Sequence, residues 1–146
     1  MTRSKKLKPV VKHVDNKEKT ALEAVAFSQQ QLQQQRNKLQ QLTDYSNEYA
    51  QQHSGAQSAS YSSIQLQEYN RFFTQLTDTI TQQTQIVAMA KREVEIKQQK
   101  WKLTRSRSDA MHKVVDKIEA GEMRQAEKIE QKFMDEVALR ISLKTH

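Results

Sequence analysis

The sequence predicts an all-α protein, two long helices folded into an antiparallel coiled-coil hairpin with helix 2 extending beyond helix 1. Three observations carry that prediction. Good helix formers (Gln, Lys, Glu, Leu, Ala) fill a chain with two Gly and one Pro, too little punctuation for a fold of many short elements. A hydrophobic share of 36%, with 6% aromatic, cannot supply a thick core in 146 residues and fits a narrow stripe between helices. Apolar residues recur at heptad spacing in two long stretches, and the polar segment QQHSGAQSAS separates them.

In chain order, a flexible basic leader is expected over 1–8, followed by a single coiled-coil hairpin over 9–143. Pro9 suits the first helical position, where its missing N–H has no intrahelical partner. A heptad then runs through Val11, Val14, Glu18, Ala21, Val25, Ser28, Leu32, Gln35, Leu39, Leu42, Ser46 and Tyr49. Helix 1 is therefore placed at about 9–51 and a loop at about 52–62. Ser62 with Gln65 three residues on has the form of a capping box and starts helix 2. Its seam is Leu66, Tyr69, Phe73, Leu76, Ile80, Gln83, Val87, Ala90, Val94, Lys97, Trp101 and Thr104, continuing more weakly through Ser108, Met111, Val115 and Ile118. Helix 2 is expected to reach about residue 143, with a break near Gly121.

A short loop makes the helices antiparallel neighbours. Setting Tyr49 opposite Leu66 then pairs Leu42 with Phe73, Leu39 with Leu76, Val25 with Ala90, Ala21 with Val94 and Val14 with Trp101. In that register Glu18 meets Lys97, a pair that specifies alignment more than it stabilises, because desolvation offsets most of the Coulomb gain. Gln35 and Gln83 each face an aliphatic residue. Residues beyond about Arg105 have no partner on helix 1, and after Gly121 the stripe Met123, Ala126, Phe133, Val137 and Ile141 is left open as a docking surface or a homodimer face.

Catalysis is not expected. There is no Gly-rich phosphate loop, no cysteine nucleophile and no strand-to-helix elbow for a serine. The four histidines, His13, His53, His112 and His146, are scattered; His13 and His112 approach one another in the hairpin, but two lone imidazoles are more often surface residues than a metal site. No cofactor or metal is therefore expected. Zero cysteines exclude disulfides and thiolate sites. No apolar run approaches the length that crosses a bilayer, and MTRSKKLKPVVKHV lacks the apolar region of a signal peptide, so a cytosolic protein is expected.

The net charge of +7 is unevenly placed. Arg3, Lys5, Lys6, Lys8 and Lys12 begin helix 1, and the pairing sets Lys97, Lys100, Lys102, Arg105 and Arg107 beside them, whereas the turn end reads as nearly neutral. Such a collar suits an acidic ring or groove; equally, it is a solvated face that keeps an extended protein dispersed. At the turn end Tyr45 and Phe72 take g positions, side by side on one face, with Tyr49, Phe73, Leu42 and Leu76 beneath or beside them. Flanking aromatics usually thicken a core. A two-helix hairpin has no third layer to cover these, which favours a partner site.

LQQLTDYSNEY, the segment EYNRFFTQLTDTITQQ, a Trp in mid helix 2 and the ending EKIEQKFMDEVALR resemble the FliJ family of flagellar export proteins over nearly the whole chain. The resemblance implies a non-enzymatic coiled-coil stalk, like that of rotary ATPases, which inserts into and promotes the hexameric export ATPase FliI. It further implies contact with the regulator FliH and the transmembrane gate protein FlhA, and escort of export chaperones. The location implied is cytoplasmic, peripherally associated with the inner membrane at the flagellar base. The family's gate-binding surface maps onto Leu42, Tyr45, Tyr49, Phe72 and Leu76. Lys38, Thr79 and Gln83 stand where the family pattern more often has Gln, Ala and His. By analogy with rotary stalks the terminal end enters the ATPase, which brings forward Lys5, Lys6, Lys8, Lys12, Lys100, Arg105, Arg107 and Phe133 as contacts by location. A basic helical-hairpin adaptor for nucleic acid or an anionic membrane is the alternative. Nucleic acid is the weaker partner, since Trp101, the largest aromatic, lies in the seam and not free to stack.

Overall fold

The computed structural model describes residues 2–145. Among them the chain forms α1 (Arg3–Gln52), the single turn α2 (Ala56–Ala59) and α3 (Ser63–Thr145), with no strand. The two long helices pack against each other as an all-α hairpin. The heptad reading locates the contact stripe well. Every seam position from Val11 to Tyr49 is buried or half-buried, and so is every one from Tyr69 to Ile118; Leu66 alone departs, at 40% exposed.

The start of α3 is set locally. The Ser62 N–H donates to Gln65 Oε1 at 2.9 Å and the Gln65 N–H donates to Ser62 Oγ at 3.2 Å, so the capping box satisfies donors that the first turn leaves free. Gly55, the residue before α2, has φ 71°, a conformation in which a Cβ is strained.

The chain divides into two units, Ala21–Trp101 and Met1–Thr20 with Lys102–His146. Ala21–Trp101 buries Ala21, Val25, Leu32, Leu76 and Val94, and with them the polar Ser28 and Gln83. Ser28 Oγ donates to the Val25 carbonyl at 2.8 Å, which removes its need for a partner across the seam. The register differs from the one expected by three residues along α3. Tyr49 stacks on Tyr69 and not on Leu66, and Gln83 meets Gln35 and not an aliphatic residue.

The physical reason lies in the amides. Gln83 Nε2 donates to Gln35 Oε1 at 2.8 Å and to the Gln35 carbonyl at 3.0 Å. A buried amide left facing an aliphatic side chain forfeits about 1–3 kcal/mol of hydrogen bonding, so mating the two polar layers sets the alignment within this unit. Lys97 Nζ lies 3.4 Å from Glu93 Oε1, one turn away on its own helix.

In the other unit α1 begins at Arg3, so the basic leader is helical from there and Pro9 lies inside the helix, not at its first position. What holds the turns ahead of Pro9 is Glu122 on α3. Its Oε2 accepts from Ser4 Oγ at 2.6 Å and its Oε1 accepts from the Ser4 N–H at 3.0 Å, so a carboxylate borrowed from another helix caps an N-terminus whose own first turn has no acid. Those bonds hold the Glu122 carboxyl below its ordinary range.

Asp15 is placed similarly. Its Oδ1 accepts from Ser108 Oγ at 2.7 Å and lies 2.8 Å from His112 Nε2, and the Ser108 bond, then His112, lowers its pKa. The expectation that residues beyond Arg105 have no partner on helix 1 is therefore corrected: Ser108, His112 and Glu122 all reach it. His112 Nε2 faces the Asp15 carboxylate.

The helix also passes Gly121 without the expected interruption. Beyond Glu122 the apolar side chains Met123, Ile129, Phe133, Met134, Leu139, Ile141 and Leu143 are exposed, and Val137 of the expected stripe is half-buried.

Candidate functional site

Within Ala21–Trp101 the end of α1 and the start of α3 bring seven rings together. On α1, Tyr45, Tyr49 and His53 follow one another at four-residue spacing and so share one helical face. Tyr61 precedes the cap of α3, and Tyr69, Phe72 and Phe73 lie on its first turns. Tyr49 is the hub. Its ring stacks on Tyr69 with centroids 5.4 Å apart at 13°, tilts against Phe72 at 4.7 Å and against His53 at 4.5 Å, and continues to Tyr45 at 6.4 Å.

Tyr45 and Phe72 meet edge to face, centroids 6.4 Å apart at 77°, so the two g positions do lie side by side. Edge-to-face contact sets a positive ring edge on a negative ring face. They remain 49% and 39% exposed respectively. Beneath them the five positions singled out from the sequence divide. Leu76 is only 7% exposed and belongs to the core, Leu42 and Tyr49 are half-buried, and Tyr45 and Phe72 present the outer surface.

Three contributors were not singled out for binding. His53 Nδ1 lies 2.6 Å from the Tyr61 hydroxyl, and the His53 ring packs on Tyr61 at 5.6 Å and Tyr69 at 5.1 Å. His53 had been counted as scattered, Tyr61 as loop and Tyr69 as seam. The signal for His53 was present in its four-residue spacing from Tyr49; for Tyr61, which sits outside any helical period, there was none. With Gln65 and Glu68 these residues line an open pocket of about 360 Å³. Partial burial against the other rings, and next the surrounding tyrosines and Glu68, push the Tyr49 phenol up. Negative charge is disfavoured there.

The basic residues considered as ATPase contacts fall in both units. Lys100 belongs to Ala21–Trp101; Lys5, Lys6, Lys8, Lys12, Arg105, Arg107 and Phe133 belong to the other. All are exposed, Phe133 at 63%. Lys5 also lies near enough to Glu122 to help hold its carboxyl ionised. Among the described residues no group of three or more His, Cys, Asp or Glu is arranged to hold a metal, and no helix is long and apolar enough to cross a membrane.

A family model described as Flagellar FliJ protein matches residues 3–145, nearly the whole chain. No curated protein and no solved structure matches the chain.

Proposed function

The chain belongs to the FliJ family, a non-catalytic component of the flagellar export apparatus, and on that premise we propose that it acts as a coiled-coil stalk with two working surfaces. One surface, the exposed basic side chains of α1 and α3 with Phe133, inserts into the export ATPase FliI, promotes assembly of its ring and meets its regulator FliH. The other, the aromatic face of Tyr45, Tyr49 and Phe72 over Leu42 and Leu76, contacts the export gate protein FlhA. The protein escorts unloaded export chaperones and works at the cytoplasmic side of the inner membrane at the flagellar base, peripherally attached through these partners.

The observation that carries the gate contact is the exposure of Tyr45 and Phe72 beside a half-buried hub. Ring surface of this kind is what a protein interface uses as an anchor. The mechanism is allosteric. A helical stalk touches the subunits of a ring unequally, and only such differential contact biases their assembly and nucleotide states.

A pull-down of the cognate export ATPase and gate domain tests both surfaces at once. The double variant Tyr45→Ala, Phe72→Ala is expected to lose the gate domain and to keep ATPase stimulation. Retention of both partners overturns the reading of the aromatic face.

A further inference from the structure

We propose that the pocket between the end of α1 and the start of α3 is an aromatic cage for a cationic side chain, arginine or lysine, presented by a partner protein, with Glu68 as its counter-charge. The inference rests on the preceding assignment of this face as a docking surface and names what it recognises.

Three features carry it. The lining is composed of π-systems with one carboxylate: Tyr49, His53, Tyr61, Tyr69 and Phe72 surround a volume of about 360 Å³ with Glu68 at its wall. Ring faces are negative and attract an ammonium or guanidinium, more strongly once a carboxylate completes the site. No lysine or arginine lines the pocket.

The wider charge agrees. From 39 to 90 the chain holds Asp44, Glu48, Glu68 and Asp78 against Arg71 alone, a formal charge of −3 within a protein of +7. The segment that looked nearly neutral is acidic, and it steers a cation toward the rings while the rest of the chain repels one.

The volume is ample for one long side chain. A flexible cation with an apolar stem lays its methylenes on the rings and its charge toward Glu68. Glu68 is exposed, so removing its charge leaves the helix pair intact.

The test uses the whole chain with ring-labelled aromatic residues, titrated by NMR with N-acetyl-arginine amide, N-acetyl-lysine amide and the neutral isostere N-acetyl-citrulline amide. Ring resonances of Tyr49, Tyr61, Tyr69 and Phe72 are expected to shift with the two cations and not with citrulline. Glu68→Gln is expected to weaken cation binding about fivefold, the scale of a solvent-exposed charge contact. Equal shifts from citrulline, no shifts with either cation, or unchanged binding by Glu68→Gln each overturn the cage. A gate-domain pull-down with the same variant separates this from the docking assignment. Weakened capture by Glu68→Gln supports the cage, whereas undiminished capture beside loss in Phe72→Ala overturns the cage and leaves the docking face standing.

Discussion

Ala21–Trp101 and the unit that holds both ends of the described chain join α1 to α3 by different chemistry. The first uses rings, aliphatic side chains and one amide pair: Tyr49 on Tyr69 and Phe72, Leu76 and Val94 in the core, Gln83 on Gln35. The second uses carboxylates on hydroxyls and an imidazole: Asp15 with Ser108 and His112, Glu122 with Ser4. The contrast teaches where adjustability resides. Apolar and aromatic contacts respond little to pH and leave ring surface over for a partner, whereas carboxylate clasps depend on ionisation and are released by acid.

Four measurements break or sharpen that contrast. The largest effect is expected in the ring-rich unit, from Leu76→Ala, which removes a buried side chain and should destabilise the hairpin by about 2–4 kcal/mol in urea unfolding followed by circular dichroism. Tyr45→Ala, at 49% exposed, should cost well under half as much. If the two substitutions proved equally damaging, Tyr45 would be core and the division between floor and outer face would be wrong.

Next in size is the amide layer. Gln83→Leu leaves the Gln35 amide without its partner and should cost about 1–2 kcal/mol. Gln35→Leu with Gln83→Leu should return most of that loss, while crosslinks engineered for the neighbouring register become easier to form. A double variant no more stable than the single one contradicts the account of the register.

Smaller and opposite in sign is Gly121→Ala. A Cβ at Gly121 meets nothing within 4 Å and the residue is inside a continuous helix, so alanine should raise stability by about 0.5–1 kcal/mol. Destabilisation instead would revive a functional break at that point.

The smallest effect is local and pH-dependent. Glu122 and Asp15 have folded-state pKa values held below their ordinary 4.5 and 3.8. Their stabilisation is therefore complete above those ordinary values and is lost as pH falls through the lower folded ones. Hydrogen exchange at the amides of Ser4 to Lys8 should accelerate below about pH 4, while amides in Ala21–Trp101 keep their protection, and Glu122→Gln should produce the same fraying at neutral pH. Uniform acceleration along both units would show that the clasps do not act locally.

Much of this was legible from residue spacing, because a heptad reports a contact stripe directly: side chains three and four apart share a face, and a two-helix fold has one face to bury. The stripe, the Ser62 cap and the placing of Tyr45 and Phe72 on one face follow from that spacing. Leu66 departs because the stripe says which face is buried and not which layer opposes which. Glu122 and His112 were illegible as clasps, since each acts on a residue about a hundred positions distant.

By itself, then, the sequence determined the two helices, the seam each carries, the turn between them and the family, because helix propensity, heptad period and capping act within a few residues. Only the tertiary structure decided the alignment of one seam on the other, the start of α1 ahead of Pro9, and the gathering of His53, Tyr61 and Tyr69 around Tyr49. Those outcomes depend on which buried amide, hydroxyl or carboxylate finds a partner across the helices, a choice that heptad spacing leaves open and hydrogen bonding settles.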